Sequence, residues 1–163
     1  MDSVALHQPI FSESERRLLM DVLDSTFVSS VGKYVNLLER DIEEYTGCPA
    51  ATCTVNGTSA LHLALIVAGV RSNDLVITQS MSFIATANAI TYCGAKPVFL
   101  DVDLNTLSLS PTAVEKWLAE NAFVDDAGSC SLVKTRQIIR ACIPVHTFGH
   151  PADLDSLLDI SAR

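Results

Sequence analysis

From residue 51 onward, short and almost wholly apolar runs alternate with segments of helical spacing, and that alternation leaves few architectures open to the chain. Residues 51–55 read as a strand, 59–67 as a helix ended by Gly69, 75–78 as a strand and 83–92 as a helix ended by Gly94. Residues 97–102 form a third predicted strand, 111–120 a helix with Ser110 as cap and Pro111 in its first turn, and 138–145 a fourth strand. Pro151-Ala152-Asp153 then opens a last helix to about Ile160. Strands that lack polar alternation and are separated by helices are buried on both faces. The expected fold class is therefore α/β, a mostly parallel sheet with helices on both faces. Between residues 121 and 137 the composition turns polar (DDAGSCS), which predicts an exposed excursion.

Residues 1–50 read as an N-terminal helical segment ahead of this α/β part, which spans 51–163. Ser-Glu-Ser-Glu at 12–15 precedes apolar residues at 18, 19, 22 and 23, an N-cap followed by helical spacing. After a break at 28–33 the helical period resumes over 35–45, and Gly47 and Pro49 end it. The net charge of −8, with no basic cluster longer than Arg16-Arg17, argues against nucleic acid and anionic membranes as partners. The apolar runs fall well short of the ~20 residues of a membrane helix. The N-terminus lacks a basic region followed by an apolar one, so no signal peptide is read there. The cysteines at 48, 53, 93, 130 and 142 show no metal-ligand spacing. Reduced thiols and a cytoplasmic location are the expectation. Charged residues make up only 18%, below the roughly 25% of ordinary soluble domains, so subunit contacts or further sequence are expected to cover part of the surface.

Four places could carry chemistry. Asn56-Gly57-Thr58-Ser59 joins a strand to a helix, where a glycine permits a sharp turn and first-turn N–H groups with two hydroxyls could hold a phosphate. A plain turn with a Thr or Ser cap fits the same tetrapeptide, and neither the dinucleotide fingerprint nor the P-loop pattern is present. Ser80-Met81-Ser82-Phe83 lies at the next strand-to-helix junction, on the edge where α/β ligands gather; Phe83 there could stack on a planar ring or pack in the core. Asn88, five residues on, needs a partner if buried. Asp101 and Asp103 follow the third strand and read as turn and cap residues more readily than as metal ligands. His146 closes the fourth strand, where it could touch a ligand or serve as a hydrogen-bonded structural histidine.

In combination the segments VSSVGKYVNLLE, NGTSALHLAL with AGV, SFIATANAI, YCGAKPVFLDVD and IPVHTFGHPADLDSL resemble the DegT/DnrJ/EryC1/StrS sugar aminotransferases. These are pyridoxal-phosphate enzymes of the aspartate-aminotransferase fold. The likeness runs in order from about residue 8 to residue 160. It implies that Gly57, Thr58 and Ser59 lie at the cofactor phosphate and that Phe83 stacks on the pyridine ring. It also places the loop carrying Ser29, Ser30 and Lys33 near a sugar-nucleotide, reaching towards a neighbouring subunit. The stretch 121–137 is similar to the branch that aminates nucleotide-linked N-acetylated 4-keto sugars. The resemblance further implies a homodimer, a nucleotide-linked keto sugar as substrate and an amino-acid donor such as glutamate.

In that family a lysine bonds the cofactor and moves the proton, and an aspartate faces the pyridine nitrogen; both follow the PADLDSL helix. Lys33, Lys96, Lys116 and Lys134 match no such position, so no catalytic residue and no metal ligand is nominated among the 163. The expectation is the N-terminal portion of such an enzyme, an incomplete cofactor-binding domain that does not transaminate by itself. A non-catalytic phosphate-binding protein and a non-functional remnant are the alternative readings.

Overall fold

The computed structural model describes residues 8–163. Residues 1–7, which include most of the segment read for a leader, lie outside them. Backbone contacts divide the chain into two compact units, one ending at Cys53 and one spanning Thr54–Arg163.

The first unit holds α1 (Glu13–Asp24) and α2 (Lys33–Thr46). Ser12 starts α1 through a capping box: its hydroxyl accepts from the N–H of Ser14 at 3.2 Å, and its own N–H donates to Glu15 Oε2 at 2.6 Å. Gly47, at φ 72, closes α2 by donating its N–H to the Glu43 carbonyl at 2.9 Å. The strand expected at 51–55 does not form. A strand needs a neighbour to take its N–H groups. Here the carboxylates of α2 take them instead, Glu43 Oε1 from Ala51 at 3.0 Å and Glu39 Oε1 from Cys53 at 2.8 Å.

The second unit runs α3 (Gly57–Val67), β1 (Leu75–Gln79), α4 (Ile84–Tyr92), β2 (Lys96–Leu100), α5 (Pro111–Asn121), β3 (Ala122–Val124), β4 (Cys130–Leu132), β5 (Ile139–Ile143) and α6 (Leu154–Ser161). A 3-10 turn, Thr147–Gly149, follows β5. The sheet is parallel in the order β2-β1-β5, so β1 is paired on both sides and every one of its residues is buried. Apolar neighbours alternate across it. Val76 packs with Leu65, Ala89 and Ile90 of α3 and α4 on one face, whereas Ile77 packs with Leu109, Val114 of α5 and Leu157 of α6 on the other.

The register of β5 slips where Leu75 faces Ile139 but Val76 faces Ala141. The extra residue is Arg140. It explains how Ile139 joins one core face while Ala141 and Ile143 join the other, although all three have the same parity. Arg140 Nε lies 3.5 Å from the buried Asp74 carboxylate, which also accepts the Arg71 N–H at 2.9 Å.

The excursion at 121–137 is an ordered antiparallel hairpin of β3 and β4 and is only partly exposed. Asp125 shapes its tip, Oδ1 accepting from Ala127 at 3.0 Å and Ser129 at 2.8 Å. The Arg136 guanidinium lies 4.6 Å from the Phe123 ring.

The chain steps from β1 to β2 through α4 on one face, then returns past β1 to β5 through α5 on the other. That reversal makes the carboxyl edge between β1 and β5 a topological switch point, the place where open α/β sheets take their ligands.

Candidate functional site

The helix α3 precedes β1 and runs back along it, and α4 follows β1, so both helices begin at the carboxyl edge. Asn56, in extended backbone at φ −165, caps α3 by accepting the Ser59 N–H on Oδ1 at 2.8 Å. Thr54 holds the cap from below, its hydroxyl donating to the Asn56 carbonyl at 2.9 Å. The N–H groups of Gly57 and Thr58, in the first turn, have no helical carbonyl behind them. Because Asn56 does the capping, the half-buried hydroxyls of Thr58 and Ser59 make no hydrogen bond among the described residues. A Cβ added to Gly57 would meet nothing within 4 Å, so the approach to this first turn is open.

Phe83 is the N-cap residue of α4 at φ −71 and ψ 143, makes no side-chain cap and is 78% exposed. Its packing in the core, the bland reading of the sequence, is therefore overturned: the backbone turns at Phe83 before the helix begins and leaves the ring outside. Ser82 donates to Thr86 Oγ1 at 2.8 Å and so ties the loop to the helix it starts. Asn88 is half-buried within α4. Asp103 serves the turn after β2, Oδ1 accepting from Asn105 at 2.8 Å and Thr106 at 3.3 Å. His146 is exposed and hydrogen-bonded: Nδ1 accepts the Ala152 N–H at 2.9 Å, which fixes the ring with its proton on Nε2.

Ser29, Ser30 and Lys33 belong to the first unit. Ser29 and Lys33 line a hollow of about 390 Å³ with Asp21, Val22, Phe27 and Val28, while Ser30 is exposed on the same turn. Lys33 Nζ lies 2.8 Å from Asp21 Oδ2, which also accepts the Tyr34 hydroxyl at 2.6 Å. The Lys33 hydrogen bond, with Tyr34 second, holds the Asp21 carboxyl below its ordinary value; the same bond raises Lys33. Lys33 is therefore a paired cation.

The sequence reading passed over Gln79, the last residue of β1. It is wholly buried, and its amide meets the loops after β1, β2 and β5. The signal available was a long polar side chain closing an apolar run (LVITQ) at a carboxyl edge.

A flat anionic cofactor needs N–H and O–H donors for its phosphate and an aromatic face for its ring. The uncommitted donors of Gly57, Thr58 and Ser59 and the bare ring of Phe83 meet that chemistry on one edge. The profile of the DegT/DnrJ/EryC1/StrS aminotransferase family matches residues 9–163. The chain is 34% identical to the GDP-perosamine synthase of Caulobacter vibrioides over 160 residues, covering 98% of this chain and 38% of the relative. It is 32% identical to the "Putative pyridoxal phosphate-dependent aminotransferase EpsN" of Bacillus subtilis, covering 96% of this chain and 38% of that protein. It is also similar to the crystal structure of 3-amino-5-hydroxybenzoic acid synthase, at a TM-score of 0.75 and 33% identity over 94% of this chain and 36% of that one. The chain thus spans well under half the length of the proteins it matches. Pyridoxal phosphate is the cofactor of this fold, and the donors and ring just described fit it. With an α/β sheet of this order and a family match over nearly all of its length, the chain belongs to the DegT/DnrJ/EryC1/StrS aminotransferases.

Proposed function

We propose that the chain forms the phosphate-binding and ring-stacking part of a pyridoxal-phosphate-dependent aminotransferase that acts on a nucleotide-linked keto sugar, with glutamate as amino donor. One observation carries this reading: uncommitted hydroxyls and first-turn N–H groups of α3 share a carboxyl edge with the exposed Phe83. Gly57, Thr58 and Ser59 bind the phosphate, where the positive end of α3 favours an anion. Phe83 covers one face of the pyridine and keeps water from it. When bound, the cofactor supplies an electron-withdrawing ring that lets an amino group pass between carbons. None of the 163 residues is assigned the covalent or proton-moving role. Ser29, Ser30 and Lys33 border the sugar-nucleotide in a homodimer, and the names of GDP-perosamine synthase relatives support the nucleotide linkage.

The test is titration of the natural polypeptide, at whatever length it is made, with pyridoxal phosphate, followed by an amino-transfer assay from glutamate to nucleotide-linked keto sugars. Thr58→Val and Ser59→Ala should each weaken cofactor binding about tenfold, since each removes a hydrogen bond to a charged group. Phe83→Ala should weaken it roughly fivefold. Unchanged affinity in all three variants would sink the assignment, and tight binding without amino transfer would leave a binding protein.

A further inference from the structure

Gln79 ends β1 at the carboxyl edge, and among the described residues no other side chain reaches as many separate segments. Nε2 donates towards the Met81 carbonyl at 3.0 Å, the Leu107 carbonyl at 3.3 Å and Thr147 Oγ1 at 2.8 Å. Oε1 accepts from the Leu109 N–H at 2.7 Å and the Val145 N–H at 3.0 Å, with the Ser108 hydroxyl, which donates to the Val145 carbonyl at 2.7 Å, 3.3 Å away. The amide is chemically oriented: its oxygen faces two backbone N–H groups and its nitrogen two backbone carbonyls, so a flip would set like against like on both sides. A glutamate carboxylate could not donate to the carbonyls, and methionine could neither donate nor accept strongly.

The partners occupy all three loops of the carboxyl edge. Met81 is two residues before Phe83, Leu107 through Leu109 lead into α5, and Val145 and Thr147 flank His146. Two of these loops hold non-glycine residues in left-handed backbone, Leu107 at φ 54 and Phe148 at φ 53. Such residues persist where their surroundings over-determine them. The Leu107 carbonyl is itself a Gln79 partner, and Thr147 directly precedes Phe148.

We propose that Gln79 is a positioning residue, whose buried amide fastens the loops after β1, β2 and β5 into one platform and thereby sets where Phe83 and the His146–Phe148 turn meet the cofactor ring. The inference rests on the reading of this edge as the cofactor face. Gln79 touches neither phosphate nor ring. Its effect is therefore selective: it governs how the ring is held and leaves the α3 phosphate contacts alone.

The experiment compares Gln79→Met, Gln79→Glu and the milder Thr147→Val with the natural polypeptide. Amide hydrogen exchange comes first and needs no cofactor. In Gln79→Met the exchange at Leu109 and Val145 should rise at least tenfold, and the Met81–Phe83 loop should quicken with it, while α3 stays protected. Thr147→Val, which keeps most of the network, should quicken residues 145–148 alone. Binding comes second: Gln79→Met should weaken pyridoxal phosphate about tenfold and collapse the induced circular dichroism of the bound ring. Inorganic phosphate affinity should change less than twofold. In Gln79→Met, exchange confined to one loop, or raised uniformly through the unit, would overturn the proposal, and so would equal losses for both ligands. A natural polypeptide that binds neither ligand would refute the cofactor reading, and the exchange pattern would then decide on Gln79 by itself.

Discussion

Asn56 takes the capping duty that the tetrapeptide pattern offered to Thr58 or Ser59, and this frees two hydroxyls for a ligand. Asn56→Ala should cost about 1 kcal/mol in a denaturant melt, the usual loss for an N-cap, with the first turn of α3 fraying first. At the other candidate loop the charges are already matched. Asp21 is held below its ordinary value by Lys33, so its contribution is present above the usual carboxylate range and fades as pH falls through the lowered value. Lys33 is raised, so its share is full below its ordinary value and fades only as pH rises through the raised one. Melting temperature against pH should therefore separate wild type from Asp21→Asn near neutrality, and the two curves should merge in acid. A gap that persists undiminished at low pH would show that the carboxylate charge is not what stabilises this turn.

Among the elements, helices were legible to within a few residues because caps and breakers sit at their ends: Ser12, Ser110 and Pro111, Gly47, Gly69 and Gly94. Gly94 carries more than a stop signal, since it adopts φ 72 and an added Cβ would meet Ser72 Oγ at 3.0 Å and its Cα at 3.3 Å. Gly94→Ala should thus cost about 2 kcal/mol, read as a fall in the urea midpoint, because left-handed strain and crowding add. Strands were less legible, for reasons of pairing that no local pattern contains. Residues 51–55 are as apolar as β1, yet α2 carboxylates satisfy them and no ladder forms. The bulge at Arg140 is hidden because a continuous apolar run looks the same with or without one extra residue. Polar composition at 121–137 marks the exposed residues 124–128 and 133–136 but not the strand pairing, although Asp125 and Gly128 are the turn chemistry of a hairpin. Of the candidate site, the helix start and the aromatic were visible in sequence. Gln79 showed only as a polar residue closing an apolar run; its network was hidden because its partners lie up to 68 residues away.

At the scale of the whole molecule, the 163-residue polypeptide leaves much apolar surface uncovered. Leu19 of α1 is 62% exposed and Val67 of α3 80%, and β2 and β5 each have one unpaired edge in their sheet among the described residues. Made at this length, it should associate, with a light-scattering mass above 17.6 kDa. Association should grow with salt, as the repulsion from a net charge of −8 is screened. A monodisperse monomer with one cooperative melt would count against this. The reach of Gln79 has a consequence in time as well. The α3 cap needs only Asn56 and Ser59, three residues apart, but on the ribosome the amide of Gln79 waits for Thr147, 68 residues later. At about 5 to 20 residues per second that is a delay of roughly 3 to 14 s. On the proposed reading of this edge, the ring cannot be seated until that interval has passed, which would make ring capture a late event in synthesis.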